Sequence, residues 1–118
     1  MDRQTQPKTA GPAVMLPGTL EMLILQTLTA EPMHGYGIAS HIWQTSAELL
    51  RVEEGSLYPA LRRLQLKGWV KSKWRLTPTN RRARYYELTA AGRRELANEV
   101  DRYDRVILGI ARVMGRAT

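Results

Sequence analysis

Residues 55–76 read Gly55-Ser56-Leu57-Tyr58-Pro59-Ala60-Leu61-Arg62-Arg63-Leu64-Gln65-Leu66-Lys67-Gly68-Trp69-Val70-Lys71-Ser72-Lys73-Trp74-Arg75-Leu76, and inside this stretch the hydrophobic period changes. Up to Gly68, Leu57, Leu61 and Leu64 recur at i, i+4 and i+7, the stripe of a helix with one buried face. Ser56 is placed to cap that helix, which puts Pro59 in a first turn where its missing N–H has no partner to lose. Gly68 stands where a left-handed C-terminal residue belongs. Beyond it the period falls to two: Val70, Ser72, Trp74 and Leu76 alternate with Lys71, Lys73 and Arg75. After the turn-forming Thr77-Pro78-Thr79-Asn80, a second alternating run from Arg82 to Leu88 sets Arg84, Tyr86 and Leu88 against Ala83, Tyr85 and Glu87. The stretch predicts a helix followed by a two-stranded hairpin with a cationic tip.

Upstream, Leu20, Leu23, Ile24 and Leu28 repeat at helical spacing between Gly18 and Ala30, with Leu16 just outside. Gly18 or Thr19 serves as the start, Glu21 lies in the first turn, and Pro32 follows the end. A second helix is expected from His34 to about Thr45 on Tyr36, Ala39, Ile42 and Trp43, and its Gly35 and Gly37 mark a place where backbone comes close to something. Downstream, Thr89 caps a last helix whose Leu96, Val100, Tyr103, Ile107, Ile110 and Met114 are spaced 4, 3, 4, 3, 4, a heptad seam. Residues 1–15, with Pro7, Gly11 and Pro12 and no periodicity, are expected to form a disordered arm. The chain therefore divides into that arm, a compact part over 16–88 and a C-terminal helix over 89–118.

Composition narrows the function. A chain of 118 residues with 43% hydrophobic content supports one small core. With no cysteine, disulfides, thiolate metal sites and cysteine nucleophiles are excluded. No apolar run approaches the ~20 residues that span a bilayer, and the N-terminus is polar rather than secretory, so the reading is cytoplasmic with no membrane partner. The net charge is +7, and it is concentrated: between Gly55 and Tyr86 there are nine basic residues and no acidic one, leaving the remainder at −2. Such a footprint suits a polyanion, whereas a face kept basic for solubility would mix both signs.

The order helix, helix, helix, basic hairpin is that of a winged helix-turn-helix, an α+β fold that is mainly α. A duplex major groove about 12 Å wide admits one helix, which must face its core with apolar residues and the bases with hydrogen-bonding ones. The third helix offers Ser56, Tyr58, Arg62, Arg63 and Gln65 opposite its leucines. Arg62 suits a guanine, while Arg63 and Lys67 are phosphate contacts or solvated surface. In the hairpin, Arg81, Arg82 and Arg84 with Lys73 and Arg75 would follow phosphates or enter the minor groove, although strand alternation forbids all five from acting on one face. The last helix, about 25 residues and some 37 Å long, exceeds what so small a domain covers. Its seam of Leu96, Val100, Tyr103, Ile107, Ile110 and Met114 is expected to pair with its own copy, setting two recognition helices about one duplex turn apart for a palindromic site. Folding back onto the first helix is the other way to cover it, and docking into another protein's groove, as an interaction adaptor, is the competing function.

Enzymatic chemistry finds little. His34 and His41 form no metal-ligand pattern, Glu53 and Glu54 adjoin without a partner for acid–base work, and Gly35-x-Gly37 lacks the rest of a phosphate loop. No cofactor, metal or catalytic residue is expected. Trp43, Trp69 and Trp74 read as core or core margin, with a stacking platform for a flat ligand as the other reading.

Four stretches in order carry a resemblance: Gly18-Thr19-Leu20-Glu21-Met22-Leu23-Ile24-Leu25, His34-Gly35-Tyr36-Gly37-Ile38, Gly55 to Leu64, and Arg84-Tyr85-Tyr86-Glu87-Leu88-Thr89-Ala90-Ala91-Gly92-Arg93. Over about residues 16–95 the chain resembles the PadR family of bacterial transcriptional regulators. The resemblance implies a dimeric winged-helix repressor on operator DNA, with Tyr36 and the start of the third helix near the DNA and the C-terminal helix forming the dimer. It also implies a small, often aromatic, effector. The single helix after the wing is like the short branch of the family. Two departures stand out: Gln65-Leu66-Lys67 replaces a commonly Glu-rich helix end, and the last helix carries only Tyr103 where some short members have a drug-stacking tryptophan.

Overall fold

The computed structural model describes residues 18–116; the proposed arm over 1–15 lies outside them. Helix α1 covers Thr19–Thr27, preceded by Gly18 at φ 85°, a left-handed conformation that suits glycine. A two-residue strand, β1 (Met33–His34), follows; two residues are too few to show alternation in the sequence. It leads into α2 (Gly35–Thr45), where the His34 ring Nδ1 accepts from the Gly37 N–H at 2.9 Å and so caps the helix. Two non-glycine residues in the left-handed region, Ala47 and Glu48, then turn the chain toward α3.

Helix α3 spans Glu54–Leu66 and begins earlier than its sequence suggests. Glu53 is the N-cap, without a side-chain hydrogen bond, and Ser56 lies inside the first turn instead of capping it. Pro59 consequently falls in the second turn, where its missing N–H removes the ladder bond to the Gly55 carbonyl. The other end matches expectation: Gly68 has φ 78°, its N–H reaches the Gln65 carbonyl at 3.0 Å, and the Trp69 N–H reaches the Leu64 carbonyl at 3.0 Å.

Strands β2 (Val70–Leu76) and β3 (Arg82–Leu88) pair antiparallel from Val70↔Leu88 to Leu76↔Arg82. The turn between them places Pro78 after Thr77, closes with Asn80 N–H on the Thr77 carbonyl at 2.8 Å, and holds Asn80 at φ 64°. β1 pairs with the other edge of β3, giving the order β1-β3-β2.

The core lies where α1, α2 and α3 meet the base of the hairpin. Ile24, Leu25, Ile38, Leu57, Leu61, Leu64 and Val70 are fully buried, each worth about 1.5–3 kcal/mol of transfer free energy. The last helix, α4 (Ala90–Val113), is tied into this unit at its start. The Thr89 hydroxyl donates to the Gly68 carbonyl at 2.7 Å and accepts from the Gly92 N–H at 3.0 Å. Gly92 packs directly on the Trp69 backbone, where a Cβ would come 2.1 Å from the carbonyl oxygen. Leu96, assigned by its heptad position to a dimer seam, is instead 8% exposed and belongs to the core cluster of its own subunit.

Candidate nucleic-acid interface

Burial divides α3 sharply. Leu57, Ala60, Leu61 and Leu64 occupy the inner side, so the 100° turn per residue leaves Gly55, Pro59, Arg62 and Leu66 along the opposite crest. Tyr58 and Gln65 flank the crest toward the hairpin, and Ser56 and Arg63 flank it on the other side. The hairpin rises beside this helix, with Val70, Ser72, Trp74 and Leu76 of β2 sharing a face with Leu88, Tyr86, Arg84 and Arg82 of β3. At the hairpin base that face is core. Toward the tip the core ends, and the same face becomes exposed surface opposite α2 and α3.

Two adjoining hollows result. One, about 600 Å³, lies between helix and hairpin and is lined by Tyr58, Pro59, Arg62, Gln65, Leu66, Arg84 and Tyr86. The other, about 990 Å³, runs from the start of α2 to the hairpin tip and includes Tyr36, Ser40, Gln44, Tyr58, Trp74, Arg81, Arg82 and Arg84. Tyr58 and Arg84 border both. Tyr58 is seated by Gly35, where a Cβ would lie 2.6 Å from its hydroxyl; this is the close approach that the glycines of α2 signalled. Burial raises the pKa of the neighbouring Tyr86 phenol, outweighing the opposing effect of the Arg84 charge.

Most of the residues singled out in sequence converge here. Tyr36, 77% exposed, stands on the first turn of α2. Tyr58, Arg62, Arg81, Arg82 and Arg84 line the hollows, and Ser56 is exposed on the first turn of α3. Ser56, on the flank of α3 away from the hairpin, lines neither hollow, and two further residues turn elsewhere. Arg63 turns to α1, where its Nε lies 2.6 Å from Glu21 Oε2, with Lys67 on the same carboxylate at 3.7 Å. Lys73 sits on the outer face of the hairpin opposite Tyr85, beside Arg75, whose guanidinium stacks on Tyr85 at 4.6 Å. Strand alternation already set Lys73 on the face opposite Trp74, but spacing could not single out Arg63, since Arg62 and Arg63 are equally basic and only the packing of α1 decides which is claimed internally. Ser40 and Gln44, which also line the larger hollow, were legible as polar positions alternating with Ile38 and Ile42 on α2. Trp74, 54% exposed, departs from the core-margin reading, which Trp69, packed against the core cluster, satisfies.

Beyond Leu96, α4 carries Val100, Tyr103, Val106, Ile107, Leu108, Ile110, Val113 and Met114 exposed. The Arg102 guanidinium bonds Glu95 and Glu99 at 3.1 and 2.7 Å along one flank. Burial, reinforced by Glu95, raises the Glu99 carboxyl, while those two carboxylates raise Arg102. Among the described residues no cluster of His, Asp and Glu could hold a metal ion, and no helix is long and apolar enough to cross a membrane.

A helix-turn-helix whose third helix and basic hairpin bound one cationic concavity defines the winged-helix class of DNA-binding proteins. Known proteins narrow the class. The transcriptional regulator PadR-like family matches residues 24–98. A transcriptional regulator from Clostridium thermocellum superposes with a TM-score of 0.71 at 26% identity, covering 84% of this chain and 92% of that one. A PadR-like transcriptional regulator from Bacillus cereus gives 0.71 at 25%, covering 85% and 95%. A PadR family regulator from Eggerthella lenta gives 0.70 at 29%, covering 82% of each. In sequence, 96 residues are 38% identical to an uncharacterized 37.1 kDa transposon protein of Streptomyces fradiae; they make up 81% of this chain and 24% of that protein, so the chain spans about a quarter of its length. The chain belongs to the PadR-like family of transcriptional regulators, whose role is DNA-binding regulation of transcription.

Proposed function

We propose that the protein is a homodimeric, sequence-specific repressor that grips a palindromic operator and is released by a small aromatic effector. The observation that carries the reading is the division of α4: its first turns are locked to the wing and α3, while the rest presents a continuous apolar seam of Val100, Tyr103, Ile107, Ile110 and Met114 that the core cluster of the described residues does not include. A second copy is the simplest cover, and a twofold axis through α4 presents two identical concavities to one side. In this reading Arg62 reads a base, Tyr36, Ser56 and Tyr58 hold the backbone, and Arg81, Arg82 and Arg84 meet phosphates.

The same rigid junction supports regulation. Because Thr89 and Gly92 fasten α4 to the Gly68–Trp69 backbone, a change in how two α4 helices pack moves each concavity as a body. An effector that prefers a pairing mismatched to the operator then weakens DNA binding by its differential affinity, and operator weakens effector binding equally. The test is a titration on a selected duplex over a range of salt. Three phosphate-directed arginines per subunit give a dimer log–log slope of about −5, whereas an interaction adaptor sediments as a monomer and shows no saturable duplex binding.

A further inference from the structure

Trp74 is the large side chain that neither the core nor the recognition helix explains. It occupies the face of β2 that is buried at Val70, yet two rungs further on it stands half-exposed and buries no core residue. What it does touch is cationic. The guanidinium carbons of Arg82 and Arg84 each lie 5.1 Å from its ring centroid, within the range of a cation–π contact. Arg84, directly opposite across the ladder, also donates from Nη1 to Ser72 Oγ at 2.9 Å. Neither arginine is ion-paired among the described residues, so both charges remain available on the wall of the larger hollow.

We propose that Trp74 is a positioning residue whose indole holds Arg82 and Arg84 as a preformed pair that clamps DNA phosphates without reading sequence; this rests on the DNA-binding reading above. An arginine free on a hairpin loses rotamer freedom when it binds, and one already stacked has less to lose. The stack also decides between two uses of the wing. A guanidinium layered on an indole is broader than the minor groove, about 6 Å wide, so these two arginines lie along the backbone; only Arg81, past them at the turn, is placed to reach further. Phosphate contacts carry no base information, so the clamp acts equally on any duplex.

The experiment is a double-mutant cycle on the full chain, measured by fluorescence anisotropy at low salt with a selected operator and a scrambled duplex. Trp74→Ala is expected to weaken both duplexes alike by about tenfold, the combined worth of two modest cation–π contacts. Trp74→Phe, which keeps an aromatic face, is expected to recover most of that loss. In the Arg82→Gln/Arg84→Gln background, Trp74→Ala is expected to change affinity by less than twofold. An equal loss in both backgrounds means that Trp74 touches DNA itself and overturns the proposal, as does no loss at all. A loss confined to the operator overturns the sequence-blind clamp. Parallel thermal melts separate a folding defect, which Trp74→Phe would not rescue on DNA alone. If the unaltered protein binds neither duplex, the DNA-binding reading fails and the clamp with it, an outcome distinct from all the others.

Discussion

Replacing Ile107 by aspartate separates the two tasks assigned to α4. Ile107 is 44% exposed in the subunit, so a covering copy would remove somewhat under half of its surface from water. Full burial of such a side chain is worth about 1.5–3 kcal/mol, so each subunit loses about 1 kcal/mol of association and the dimer about 2. The aspartates also bring carboxylates into an apolar seam across a twofold axis, adding several kcal/mol of desolvation and repulsion. A total of at least ~4 kcal/mol raises the dimer dissociation constant about a thousandfold. Sedimentation equilibrium should find the unaltered protein dimeric at micromolar concentration and Ile107→Asp monomeric, with helix content preserved. Leu96→Ala should do the reverse: as a core deletion it costs about 2–5 kcal/mol in urea unfolding. A monomeric wild type, or an Ile107→Asp protein that remains dimeric, refutes the division of labour along the helix.

Other outcomes follow from particular contacts. Arg62→Ala should weaken operator binding by about 1–3 kcal/mol and relax preference at one base pair, while Arg63→Ala, held to Glu21, should change it far less in the same anisotropy assay. Gly92→Ala forces a methyl group onto the Trp69 carbonyl and should cost about 2–4 kcal/mol by chemical denaturation, because backbone on both sides is hydrogen-bonded and cannot yield. Ala47→Gly relieves a left-handed alanine at φ 55° and should raise stability by about 1 kcal/mol without altering DNA affinity.

The parts of the fold that repeat were readable from sequence. Leucines at helical spacing marked α1 and α3, alternation marked both hairpin strands to the residue, and Gly68 and Thr89 were placed correctly because each has a local chemical reason to stand where it does. What escaped depends on neighbours distant in the chain. β1 exists because β3 offers it an edge, and the early start of α3 makes Ser56 an ordinary first-turn residue despite its capping propensity. In the site, the basic character of the surface and the alternation that sets Lys73 and Arg75 on the face opposite Trp74 were legible, but the rest of the partition was not: Glu21 claims Arg63, and Leu96 leaves the seam for the core of its own subunit. Periodicity gives the face a residue occupies, and only packing says how far along an element the core extends.

Hydroxyl-radical footprinting of the protein on a duplex selected from random sequence tests the central claim most directly. Two protected patches of equal size, related by a dyad and centred about one helical turn apart, are predicted, with the same pattern lost at all concentrations where Ile107→Asp is monomeric. A single asymmetric patch that Ile107→Asp reproduces unchanged would contradict the account.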